Sequence, residues 1–355
     1  MTFVSLQALR GLAALGVVLF HLLPFEAKYL PGATIVPGGF SVGRAGVDLF
    51  FVLSGFLAVW TTLGPGGGQA AQTFLLRRVT RIYPVYWLYC IPLLLAALVA
   101  HGAAGGPDIP ASLLLVPNAA PPLLLVAWTL EFEVYFYLVF ALLIWVRLGR
   151  THRILALLAW GVAVVAGRAI LAPARDQAVL DAIFSPLVME FLAGCAAAYV
   201  CAAGIPRAVT AVAGVVGCIM LVLALVWAET LFALPWLRVT IFGTGAGLLL
   251  IGCFGEDLVI RRVLPRVIVR IGDASYSLYL SHLFTIGIVG HVVAKLAPHA
   301  GLFATPAGHV AVLCGSVLAA LVVAEASYRW IERPMLRVTR HLIRRPAAAQ
   351  VAAAT

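Results

Sequence analysis

Ionisable side chains are scarce in this sequence, so those that fall inside apolar stretches stand out. They are Arg10, His21, Asp48, Glu131, Glu133, Glu190, Asp273, His282, His291 and Glu325. A charge within a bilayer is costly and usually faces a protein interior or a water-filled cavity. Arg10 and His21 are eleven positions apart. On a helix that offset is about 1100°, or about 20° beyond three full turns, and the two side chains share one face about 16 Å apart. One face thus carries a permanent cation near the inner leaflet and a titratable imidazole near the outer end. A snorkelling Arg and an unrelated interfacial His would satisfy the same spacing.

Other clusters offer partners. Asp48 is a candidate to pair with an Arg or His of the first apolar stretch, and the adjacent Ser54-Gly55 suits close helix packing. Arg77, Arg78 and Arg81 crowd together just before Tyr83-Pro84, where Pro84 reads as a helix start. Guanidinium forks recognise phosphate, although basic residues there also serve as a topology signal. Glu131 and Glu133 are two apart and point to different helix faces. Trp128 and the aromatics after it read as an interfacial belt or a sugar platform. Ser275, Tyr279 and His282 fall on one stripe, either as a polar site or as interhelical glue. Glu325 reads as a local ion pair with Arg329 and Arg333, and His101, His152, His299, His309 and His341 as solvated edges. The six cysteines form no CxxC pair and read as small buried hydrophobes. No metal-ligand cluster appears, and no structural metal is expected.

The elements that must hold these residues are membrane helices. Of the 355 residues, 63% are hydrophobic and 11% charged, against about 25% charged in soluble domains. The mean hydropathy is +1.06. These values predict an all-α, polytopic integral membrane protein and argue against nucleic-acid binding, a secreted disulfide scaffold or disorder. Ten stretches suit membrane spans, about 5–23, 44–62, 82–101, 127–146, 154–172, 183–202, 208–227, 238–254, 272–294 and 307–328. The longest break runs from Gly105 to Pro122 as an irregular loop. With the N-terminus inside, every inner loop is basic, including Arg77, Arg78, Arg81, Arg147, Arg150 and Arg153, and the outer loops are sparse. Both termini are therefore expected in the cytoplasm, and the net charge of +10 is mainly a topology signal. The first stretch lacks a basic leader and a small-residue cleavage site, and reads as a retained span.

The motifs in order resemble one family. Leu9-Arg10-Gly11 with His21, then Gly46-Val47-Asp48-Leu49-Phe50-Phe51-Val52-Leu53-Ser54-Gly55-Phe56, is similar to the membrane-bound acyltransferase-3 family. Arg78 to Pro84 resembles its RxxRIxP element, and Trp128-Thr129-Leu130 with Glu133 and Phe136-Tyr137 its WxLxxExxFY element. Ser275 to His282 resembles its SYSLYLxH segment, and Glu332-Arg333-Pro334 its closing motif. The resemblance implies a transferase domain over 1–336 and a basic, then Ala-rich cytoplasmic tail over 337–355. It implies acetyl transfer from cytoplasmic acetyl-CoA to a hydroxyl of a bacterial polysaccharide or lipid-linked sugar at the inner membrane, of the stand-alone exopolysaccharide-modifying type. His21 would be general base or acetyl relay, with Arg10, Asp48 and Glu133 in support. Arg10, Arg77, Arg78, Arg81 and Tyr83 would hold CoA, and Trp128, Ser275, Tyr279 and His282 the acceptor. Polysaccharide-synthesis machinery is a candidate partner. The alternatives are a multi-span transporter or flippase, and a non-catalytic component of such machinery.

Overall fold

The structure, a computed structural model, describes residues 3–30, 32, 34–99, 107–174, 176–257, 262, 265–296 and 301–338. His101, Arg175, His299, His341 and the tail from 339 onward lie outside the described residues. In chain order the helices are α1 (Val4–Tyr29), α2 (Gly46–Trp60), α3 (Gly68–Val99), α4 (Ile109–Leu114), α5 (Trp128–Trp145), α6 (Arg150–Leu171) and α7 (Ala178–Ile183). They continue with α8 (Val188–Ala202), α9 (Arg207–Val226), α10 (Ala228–Ala233), α11 (Pro235–Gly255), α12 (Arg266–Asp273), α13 (Ser275–Leu296) and α14 (Pro306–Ser327). No strand occurs among the described residues. Among the described residues ten helical stretches are long and apolar enough to cross a bilayer, matching the expected ten spans.

Some boundaries differ from expectation, each for a physical reason. Pro84 does not start a helix: it lies with Pro92 inside the long α3, which also carries Arg77, Arg78 and Arg81 and begins well before the expected span start at 82. Membrane helices tolerate internal Pro because neighbours re-satisfy the freed backbone groups. The loop before Pro122 carries the short α4, N-capped by Asp108 through the Ala111 amide. Tyr83, Tyr86 and Trp87 of α3 tie it down by donating to the carbonyls of Leu114, Ser112 and Leu113 at 2.9, 2.6 and 2.9 Å.

Among the described residues the chain forms two compact units. The first takes the chain up to Leu53 and from Ala203 to Tyr328. Here α1 packs on α12 and α13, α13 packs on α14, and α9 packs on α11. Missing side chains set the closest approaches. A Cβ on Gly11 would meet the Ile268 carbonyl at 2.7 Å and the Gly272 amide at 2.9 Å, and Gly272 in turn lies against the backbone of Gln7. Small residues of this kind let membrane helices gain van der Waals contact where lipid supplies no hydrophobic drive. Ala14, Val18, Leu278, Ala320 and Ala324 fill the seam between α1, α13 and α14.

One buried polar strut was absent from the sequence reading. His309, expected to be solvated, is 1% exposed, and its Nδ1 lies 2.7 Å from Glu26 Oε1. The same carboxylate accepts from the Ile35 and Val36 amides at 2.9 and 2.8 Å. The reason is length: α1 runs on to Tyr29, beyond the expected end at 23, and carries Glu26 inward on its last turns.

The second unit takes Ser54 to Ala202 and the described residues from Arg329 on. Within it α3 packs on α5, and α8 packs on α5 and α6. Gly55 admits the backbone of Phe191, and Phe136 stacks on the Phe191 ring with centroids 4.2 Å apart. Leu155, Leu158 and Val162 of α6 are exposed, as are Val212, Val215 and Ile219 of α9 in the first unit. Such outward apolar surface suits a helix facing lipid.

Replacing Glu26 with Ala strands two backbone amides and a buried imidazole. A loss of about 2–4 kcal/mol is expected, read as a thermal midpoint several degrees lower in detergent. An unchanged midpoint would contradict the strut.

Candidate active site

In the first unit, the face that carries Arg10 and His21 meets the face of α13 that carries Ser275 and His282. Arg10 Nε and Nη2 donate to Ser275 Oγ at 3.1 and 3.0 Å. Further along the seam, His21 Nδ1 lies 3.2 Å from His282 Nε2. Two expected stripes thus become one interface, and Gly11 and Gly272 set how closely α12, which leads into α13, lies on α1.

The hydrogen bonds assign the proton on each ring. His282 Nδ1 points at the carbonyls of Tyr279 and Leu278 at 2.8 and 3.2 Å, so it is the donor. Its Nε2 is then an acceptor in the neutral ring. His21 Nδ1 lies 2.8 Å from the Val17 carbonyl and also faces that acceptor, so Nδ1 of His21 carries its proton. The lone pair of His21 therefore sits on Nε2, the form a general base needs. His282 is fully buried and His21 half-buried. His282, expected to bind the acceptor, stands with its Nε2 3.2 Å from His21 Nδ1. Ser275 likewise turns its hydroxyl to Arg10, and the Tyr279 ring packs 5.9 Å from Phe50 and 6.0 Å from His282.

Asp48 is not brought to His21. It is 1% exposed and accepts a bidentate pair from Arg238 Nε and Nη2 at 2.8 and 3.0 Å. Arg238 also lies over the Phe232 ring, 4.4 Å from its centroid, and Arg44 lies over the same ring at 3.8 Å. Arg44 pairs with Glu229 at 2.8 Å. A hydrogen bond from Ser41 and the charge of Arg44 hold the Glu229 carboxyl below its usual range. Arg238, the first residue of an apolar stretch, was not among the residues the sequence singled out.

A second constellation lies within the second unit. Glu133 Oε1 accepts from Ser54 Oγ at 2.6 Å and from the Tyr137 hydroxyl. The Arg78 guanidinium lies 4.8 Å from the Tyr137 ring centroid and 5.3 Å from that of Phe74. Arg78 is 8% exposed, whereas Arg77 is exposed and Arg81 half-buried. The expected phosphate cluster is thus split: Arg78 serves the Tyr137–Glu133–Ser54 chain. A neighbouring cavity of about 370 Å³ is lined by apolar side chains with Arg78, Tyr83, Glu131 and Tyr135. Trp128 meets Phe132 edge-on. Among the described residues no group of three or more His, Cys, Asp or Glu side chains converges as a metal site.

His282→Ala removes one of the two acceptors, with the Val17 carbonyl, that hold the His21 tautomer. Turnover is expected to fall about 100-fold with the donor KM little changed. An unchanged turnover in a folded variant would contradict the orienting role.

Comparison with known proteins places the chain in a family. An acyltransferase domain family matches residues 3–325. The exopolysaccharide production protein ExoZ of Rhizobium meliloti (strain 1021) is 33% identical over 311 residues, 84% of this chain and 91% of that protein. The acyltransferase MdmB of Streptomyces mycarofaciens is 28% identical, covering 97% of this chain and 94% of its own length. The peptidoglycan O-acetyltransferase OatA of Listeria monocytogenes is 24% identical over 93% of this chain, which spans 55% of that protein. No solved structure matches the chain. With the family match running almost end to end, and with its motifs gathered into the two constellations above, the chain is an enzyme of the membrane-bound acyltransferase-3 family.

Proposed function

We propose that this enzyme transfers an acetyl group from cytoplasmic acetyl-CoA to a hydroxyl of a bacterial exopolysaccharide or lipid-linked sugar. The observation that carries the reading is His21, whose Nε2 keeps its lone pair because Nδ1 is committed to Val17 and His282. The likeness to an exopolysaccharide production protein and to a peptidoglycan O-acetyltransferase supports an acetyl group and a carbohydrate acceptor.

A sugar hydroxyl is a poor nucleophile near neutral pH and needs a base as it attacks a thioester. His21 Nε2 takes the hydroxyl proton as the oxygen forms its bond to the acetyl carbonyl carbon. The carbon–sulfur bond breaks, the CoA thiolate leaves, and the imidazolium returns the proton to sulfur. His282 Nε2 accepts from Nδ1–H throughout and favours the imidazolium as it forms. Arg10 offers a fixed cation on the same helix face, with Arg77, Arg81 and Tyr83 as further candidates to meet the donor. Asp48 and Glu133 act as supports, through Arg238 and through Tyr137 respectively. The excess of basic residues in alternate loops supports cytoplasmic termini in the inner membrane.

His21→Ala should cut acetyl transfer from labelled acetyl-CoA in membranes about 10²- to 10⁴-fold at matched expression. Unchanged turnover would refute the role of the imidazole.

A further inference from the structure

The arginines at the start of α6 were counted above only as a topology signal, yet they enclose a space. A cavity of about 720 Å³ in the second unit is lined by Arg147, Arg150, Arg153, Tyr199 and the turn Leu63–Gly66. No Asp or Glu is among its lining residues. Among the described residues, the Arg147 guanidinium has no hydrogen-bond acceptor and no carboxylate partner, and Arg150 bonds only the Tyr199 carbonyl, at 3.0 Å. Arg153 is 5% exposed. Two of its nitrogens are held by the Thr62 and Leu148 carbonyls at 2.8 and 3.3 Å, and its Nε is buried with no partner. The Tyr199 hydroxyl lies beside Arg153 but outside hydrogen-bonding geometry.

The backbone is shaped for the same purpose. The N-terminus of the 22-residue α6 opens here, and its N-cap, Gly149, supplies no side-chain acceptor for the first amides. Such an end favours an anion. Arg147 adopts φ 58°, a left-handed conformation that bulky residues seldom take. Gly67, at φ 131°, lets that side chain pass, since a Cβ there would meet Arg147 Nε at 2.6 Å. A Cβ on Gly66 would meet the Ile144 carbonyl at 2.5 Å. Strain held by close-packed glycines is typical of a ligand clamp.

Three cations, an open helix N-terminus and an orphaned buried donor converge with no acid to balance them. We propose that this cradle binds phosphate, either the phosphates of CoA or the headgroup of an anionic lipid. Only the CoA source rests on the donor reading above.

The test uses the full-length protein in nanodiscs, comparing wild type with R147Q and with R147Q/R150Q. One arm titrates CoA into discs of zwitterionic lipid, and the other measures phosphatidylglycerol retained from mixed discs by native mass spectrometry. CoA affinity is expected to fall about tenfold or more in the double variant and severalfold in R147Q, whose guanidinium bonds nothing among the described residues. A loss confined to retained phosphatidylglycerol would also support the cradle and assign it to a headgroup. If wild type binds no CoA yet the lipid loss remains, the donor reading fails and the cradle stands. Unchanged binding in both arms, with the variants folded by thermal unfolding, overturns the proposal.

Discussion

The arrangement depends on one contact, the imidazole of His282 against that of His21. A base in a bilayer must present a lone pair, and a neutral imidazole has only one. Which nitrogen holds it is set by what the other nitrogen bonds. Here the Tyr279 carbonyl fixes His282, and His282 with the Val17 carbonyl fixes His21. The contact needs α1 and α13 at the right height, which Arg10 and Ser275 pin toward the N-terminal end of both helices. The close approach at Gly11 and Gly272 settles how α12 lies on α1 just ahead of α13. Two absent side chains therefore help to position the His21 imidazole more than a helical turn away.

Burying charge in lipid is costly, and several buried carboxylates are met by hydrogen-bonding partners. Asp48 is matched by Arg238, Glu26 by His309 and two amides, and Glu133 by Ser54 and Tyr137. Removing one member of such a pair leaves an uncompensated charge and costs far more than the pair contributes. Asp48 and Glu133, motif residues that looked catalytic, thus each bond a partner within their own unit. Arg147 and His21 Nε2 differ from them: each presents hydrogen-bonding capacity that the described residues do not use.

Much of this was legible before the fold was known. The eleven-residue spacing of Arg10 and His21 placed them on one face, and the stripe of Ser275, Tyr279 and His282 was visible by the same periodicity. That the two stripes face one another was not, because helical periodicity carries no information about which neighbour a face meets. Arg238 was missed because an intramembrane charge at the edge of an apolar stretch looks like a flank. Glu26 was missed because α1 runs beyond the apolar window that ends at 23, and His309, at the start of its stretch, was read as a solvated edge. The start of α3 was misplaced because Pro84 was taken as a helix boundary, whereas the helix continues through it.

The assigned tautomer can be read directly by solid-state nitrogen NMR of histidine-labelled protein in bilayers, with the His21 signals identified by their loss in a His21→Gln sample. The account predicts a neutral His21 ring protonated on Nδ1 and bare on Nε2, becoming a tautomer mixture in His282→Ala. A His21 ring protonated on Nε2, or one unmoved by loss of His282, would contradict it.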